Sequence, residues 1–189
     1  MLEEILITYK GKEYARVSEI LQPLTNFGHI NPEVLANKQM IGTDVHEAIH
    51  SDMIGQFPMP EPVSLGYFWS YQKWMETLKP RIICSEERYY CHDKMITGCI
   101  DALISINGSS SILVDFKTSV SESSTWIKQA HLYSYLILST HKCLTLEPRY
   151  LFIQLDKHGA LPKVYEYKHD PRIHNECMQH ISDYWKKRS

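Results

Sequence analysis

The sequence predicts a single α/β domain of the α+β kind, a central mixed β-sheet flanked by helices, and three observations carry that reading. Residues 81–91, 95–105 and 111–117 are rich in β-branched, aromatic and aliphatic side chains. Asp93-Lys94 and Asn107-Gly108 separate them as turns would in an antiparallel meander. Residues 123–140 place Trp126, Ala130, Tyr133 and Ile137 at helical spacing, and two more strand-like segments, 149–155 and 162–167, follow around Lys157-His158-Gly159. Strands interleaved with helices call for a sheet covered on its faces.

The remaining elements follow from local signals. Residues 4–9 and 13–17 flank Lys10-Gly11-Lys12 and predict a small hairpin, leading into a short helix capped by Ser18. Asn31-Pro32 starts another short helix. Gly42-Thr43-Asp44 opens a separate helix through about Ile54, stopped by Gly55 and by Pro58, Pro60 and Pro62. Residues 64–78 read as an aromatic-rich helix whose rings suit a core better than a base-stacking platform. Pro171 begins the terminal helix, which ends in Lys186-Lys187-Arg188. No repeat or low-complexity linker divides the 189 residues, so one domain over 1–189 is expected.

Composition excludes several classes. Hydrophobic residues at 43% and charged residues at 22% are ordinary for a globular chain. No apolar run is as long as a membrane span, and Met1-Leu2-Glu3-Glu4 lacks the basic region of a secretory signal. Five cysteines, at 84, 91, 99, 143 and 177, form no CxxC pair and read as reduced thiols of a cytosolic protein. The net charge of −2 argues against bulk coating of nucleic acid. The charge is nevertheless uneven: residues 1–116 hold 9 Lys+Arg against 15 Asp+Glu, and residues 117–189 hold 11 against 7. A basic C-terminal half beside a carboxylate cluster suits a groove that tracks a phosphate backbone.

The chemistry concentrates on one hairpin. Asp115 and Lys117 share a strand face, and a loop at 107–109 sets Asp101 directly opposite Asp115. Opposed carboxylates weaken a strand pair, and a hard divalent cation such as Mg²⁺ or Mn²⁺ converts that repulsion into binding. Asp101, Asp115 and the Phe116 carbonyl are the expected ligands, with Lys117 placed to orient a water. Gln129 and Tyr133 lie one helical turn apart, on one face, as supporting groups.

These residues resemble the PD-(D/E)XK phosphodiesterase superfamily, specifically its RecB-like and phage-exonuclease branch. The resemblance covers Gly42-x-x-Val45-His46, Glu86-Glu87, Gly98-x-x-Asp101, Asp115-x-Lys117 with Thr118-Ser119, and Gln129-x-x-x-Tyr133, in that order over roughly 42–135. Tyr14-x-x-Val17-Ser18-x-Ile20-Leu21 is similar to the opening of phage-type members. The resemblance implies a restriction-endonuclease-like core, with His46, Asp101 and Asp115 at the metal and Lys117 at the water. It further implies an acidic residue at Glu86 or Glu87, of which Glu86 fits better. Ile100 stands where the superfamily's name has proline, and the cysteines needed for an iron–sulphur cluster are absent. The implied activity is a Mg²⁺- or Mn²⁺-dependent DNA exonuclease of recombination, repair or phage end processing. Its place would be the cytoplasm of a bacterial or phage-infected cell, as a homo-oligomer or with a recombination partner. The alternative is a catalytically silent, nuclease-fold DNA-binding subunit.

A rival pattern overlaps the first block. His46-Glu47-Ala48-Ile49-His50 spells HExxH, the signature of helical zinc proteases. It lacks the metzincin continuation, nothing supports Glu61 or Glu76 as its third ligand, and Glu47 can instead close a capping box on Asp44.

Overall fold

Hydrogen bonding along the chain arranges seven strands and five helices in a computed structural model that describes residues 6–25, 31–106, 108, 110–141 and 144–188. The strands are β1 (Ile7–Tyr9), β2 (Lys12–Arg16), β3 (Arg81–Cys91), β4 (Ile96–Ser105), β5 (Ser111–Lys117), β6 (Leu146–Gln154) and β7 (Lys163–Lys168). The helices are α1 (Val17–Leu21), α2 (Pro32–Met53), α3 (Leu65–Leu78), α4 (Trp126–Thr140) and α5 (Pro171–Lys186). The sheet is mixed and open, ordered β1-β2-β4-β5-β6-β7, with β3 on the other edge of β4.

β4 is the hub. β3 runs antiparallel along its length, while the opposite edge is divided between two partners. Ile96 and Thr97 pair with β2 in parallel, and Ala102 to Ile104 pair with β5 antiparallel. Residues 98–101 therefore lie in the fork between β2 and β5. The β4–β5 register sets Ile104 opposite Ile112 and Ala102 opposite Val114, and the pairing ends there, one residue short of the expected Asp101–Asp115 pair. β5 and β6 are parallel, and α4 makes the crossover between them.

Two apolar layers cover the sheet. On one face Ala102, Ile104, Ile112, Val114, Phe116 and Ile153 pack beneath α2 and α3. On the other Ile100, Leu103, Leu113, Tyr150 and Phe152 pack beneath α1, α4 and α5. Along β5 the layers alternate strictly, which sends Asp115 to the α4 side with Leu113. Along β4 the alternation slips: Ile100 and Leu103 share a layer although three residues apart. The slip falls at Asp101. Its partner position on β3 is Glu86, whose backbone is left-handed at φ +49°.

Several element boundaries differ from expectation. The segments at 32 and 44 form one 22-residue helix, capped by Asn31 Oδ1 accepting the Glu33 N–H at 2.8 Å. Gly42 does not break it, because nothing else there opposes helix. Asp44, inside the helix, accepts the Glu61 N–H at 3.0 Å, so no capping box forms with Glu47. Arg16, not Ser18, caps α1, and Glu19 accepts its backbone N–H at 3.1 Å. α4 begins at Trp126 because Ser123 Oγ accepts the Thr125 N–H, holding 123–125 in a turn. Residues 4 and 5, Asn107 and Cys143 lie outside the described residues, while Cys84, Cys91, Cys99 and Cys177 are free thiols. No helix among the described residues is long and apolar enough to cross a membrane.

Candidate active site

The fork in β4 is where the polar groups meet. α2 crosses above it, with Gly42 against Thr118 and His46 one turn further on. His46 Nδ1 lies 3.3 Å from Glu86 Oε1 and 3.4 Å from Asp101 Oδ1, and His46 Nε2 lies 3.1 Å from the Phe116 carbonyl oxygen. Asp101 Oδ2 accepts the Phe116 N–H at 2.7 Å, taking the place of a ladder bond where β4 and β5 part. Ligand atoms of His46, Glu86 and Asp101 all lie within 4.8 Å of one another.

Asp115 belongs to a second, adjoining group. Lys117 Nζ sits 2.5 Å from Asp115 Oδ2 and donates to Gln129 Oε1 at 3.0 Å. Gln129 Nε2 reaches both Asp115 Oδ1 and the Tyr133 hydroxyl at 3.1 Å. The helical spacing of Gln129 and Tyr133 and the strand spacing of Asp115 and Lys117 thus close one network. Gly98 makes room for it: a Cβ there would stand 2.6 Å from Tyr133 Cε1.

Electrostatics record how the charges crowd. Burial works against a charged His46, but the carboxylates of Asp101, Glu86 and Asp115 outweigh it and hold the imidazole well above its usual range. Both ring nitrogens face acceptors, as an imidazolium requires. Burial would raise Asp101, yet the His46 and Lys117 charges and the Phe116 N–H keep it below the ordinary carboxylate value. Asp115, only 1% exposed, is pushed up to about 7 by burial and by the Asp101 charge, against the pull of Lys117. Two buried carboxylates sensing each other make a site suited to added positive charge. The oxygen and imidazole donors of His46, Glu86 and Asp101, with the Phe116 carbonyl beside them, fit a Mg²⁺ or Mn²⁺ ion.

The sequence-predicted residues all fall in this region, though not as one ligand shell. Glu86 turns inward and Glu87 outward, where Glu87 accepts the Tyr89 hydroxyl at 2.8 Å. Asp115 faces Lys117 and Gln129 instead of the three-residue cluster. His50, the second histidine of HExxH, is not in that cluster; its Nδ1 meets Ser85 Oγ at 3.0 Å. Among the aromatics of α3, Phe68, Tyr71 and Trp74 are core, while Trp69 is half exposed. Sequence reasoning passed over Cys99, whose thiol donates to Glu86 Oε2 at 3.2 Å. Burial and the Glu86 charge push that thiol up to about 12, so it remains protonated. Its position inside Gly98-x-x-Asp101 was the available signal.

No protein-family model matches the chain, and no curated protein matches it. Solved structures do. The fold is shared with an alkaline exonuclease. That protein, LHK-Exo from Laribacter hongkongensis, superposes with a TM-score of 0.51 at 10% identity, over 92% of this chain and 87% of its own. A protein of Eubacterium rectale assigned as an exonuclease gives 0.52 at 10% identity, over 92% and 79%. At such identity the likeness is one of fold, and it agrees with a mixed sheet carrying helices on both faces.

Proposed function

We propose that the chain is a divalent-metal-dependent deoxyribonuclease of the PD-(D/E)XK type, an exonuclease that hydrolyses phosphodiester bonds in recombination, repair or phage DNA end processing. One observation carries this reading. A three-residue ligand cluster, His46, Glu86 and Asp101, lies against an Asp115–Lys117–Gln129 network at the point where β4 and β5 diverge. The exonuclease-like fold supports it.

His46, Glu86 and Asp101 would hold Mg²⁺ or Mn²⁺, with Asp115 and the Phe116 carbonyl as adjoining oxygens. Bound there, the ion would neutralise phosphoryl charge and make water a better nucleophile. Lys117 orients the attacking water and offsets charge on the scissile phosphate. Gln129 holds the Lys117 amine and the Asp115 carboxylate in one arrangement, and Tyr133 fixes Gln129.

Linear and covalently closed circular DNA, incubated with Mg²⁺ or Mn²⁺, test the proposal. Linear DNA is degraded, circles are spared, and both chelator and Asp115→Ala abolish degradation. Retarded mobility of DNA without cleavage under every divalent metal would instead establish a silent binding subunit.

A further inference from the structure

The second histidine of the α2 motif is left without a task by the proposed hydrolysis, yet it contacts β3 at the residue beside the left-handed Glu86. His46 and His50 are four residues apart and share a helical face. The first meets the Glu86 carboxylate, and the second meets the hydroxyl of Ser85, the residue before it. Glu86 has φ +49°, a left-handed backbone that residues with a Cβ adopt at a cost, and it does so inside a strand. Such a conformation persists only where its surroundings over-determine it.

We propose that His50 is a positioning residue for the metal site: through Ser85 it pins β3 to α2, so that Glu86 turns left-handed and presents its carboxylate to His46 and Asp101. The pin holds the backbone, and the Cys99 thiol holds the carboxylate from the far side through Oε2. Glu87, the next residue, instead faces outward and accepts the Tyr89 hydroxyl on the same strand. On β4 the layer alternation slips at Asp101, beside Glu86 on β3, and both acids meet His46 Nδ1. The inference rests on the metal-site reading above, and it explains HExxH spacing without zinc.

Calorimetric titration of the full chain with Mn²⁺ tests it, beside thermal melts and amide exchange of the metal-free variants. Glu86→Ala sets the scale for a lost ligand. His50→Ala and Ser85→Ala are each expected to weaken Mn²⁺ binding about ten- to hundredfold, the usual effect of removing a partner that orients a ligand. The double variant should be no weaker than either single one, because both break one contact. His50→Gln, whose amide can still bond Ser85, should recover most of the affinity. Exchange at 84–88 should rise in the metal-free His50→Ala and Ser85→Ala chains. Ser85→Ala removes a single oxygen and keeps the test open should His50→Ala fail to fold. Wild-type affinity in both folded variants, with Glu86→Ala impaired, overturns the positioning role and leaves the metal site standing. A wild-type chain that binds no Mn²⁺ overturns the metal site and this role with it.

Discussion

Two glycines, Gly98 in the site and Gly66 away from it, show how closely the chain is packed. A Cβ at Gly98 would meet the Tyr133 ring at 2.6 Å and Leu136 Cδ1 at 3.1 Å, both of them side chains that can shift. A Cβ at Gly66 would meet the Lys157 carbonyl oxygen at 1.8 Å, and that is backbone. Gly98→Ala is therefore expected to cost about 1–3 kcal/mol in urea unfolding, and Gly66→Ala more, since α3 must lift from the β6–β7 turn. The activity effects should invert. Gly98→Ala displaces Tyr133 and so Gln129, and misplacement of that kind lowers turnover by up to about 10²-fold. Gly66 touches nothing in the site. If folded Gly98→Ala cleaves DNA at the wild-type rate, Tyr133 has no part in holding Gln129. The Asp115-x-Lys117 and Gln129-x-x-x-Tyr133 pairs were legible because each rests on one period within one element. Ser85 and the left-handed backbone of Glu86 were not, because they depend on which strand lies beside which.

At the scale of elements, α2 divides in two. Its second half buries Val45, Ala48 and Ile49, whereas residues 32–34, 36–40 and 43 are exposed, including Val34 and Met40. Helices without tertiary packing are marginal, so amides of 36–40 should exchange much faster than those of 46–50. Equal protection along the helix would contradict the division. The sequence suggested two helices here because Gly42 and Asp44 look like a start, but Gly42 costs a helix only about 1 kcal/mol.

The α4–α5 junction makes a second prediction at this scale. His131 is fully buried; its Nδ1–H donates to the Ile127 carbonyl at 2.7 Å and its Nε2 accepts the Asp170 N–H at 2.9 Å, at the N-cap of α5. Both contacts require the neutral ring, and burial holds its pKa below the ordinary value. The unfolded chain therefore binds the proton first as pH falls below 6.5, and folding loses stability from there downward. His46 and Asp115 are shifted upward and contribute the opposite slope, so the wild-type profile is a composite. The difference between wild type and His131→Gln isolates the buried ring. Wild-type stability should fall relative to the variant between pH 6.5 and 5. A constant difference across that window would mean that His131 is not held neutral.

For the whole molecule, legibility tracks sequence distance. The β3–β4–β5 meander joins neighbours through short turns, and the parallel β5–β6 pair follows from the helix between them. The parallel docking of β2 on Ile96 and Thr97 joins segments some eighty residues apart, and no local pattern announces it. Yet that docking creates the fork in which Asp101 lies. The same assembly concentrates buried carboxylates, a cost in stability that a bound cation would offset by mass action. Saturation to about 100 times the dissociation constant adds about 2.7 kcal/mol, which for a domain of this size shifts the melting temperature by roughly 5–10 °C. Melts with Mn²⁺ should rise by that order, fall back with chelator, and stay flat in Asp101→Asn. The substituted amide keeps an oxygen that can accept the Phe116 N–H, so the variant retains the contact between β4 and β5. A wild-type melting temperature unmoved by saturating Mn²⁺ would show that the crowded acids of β3, β4 and β5 are held by protein groups without a cation.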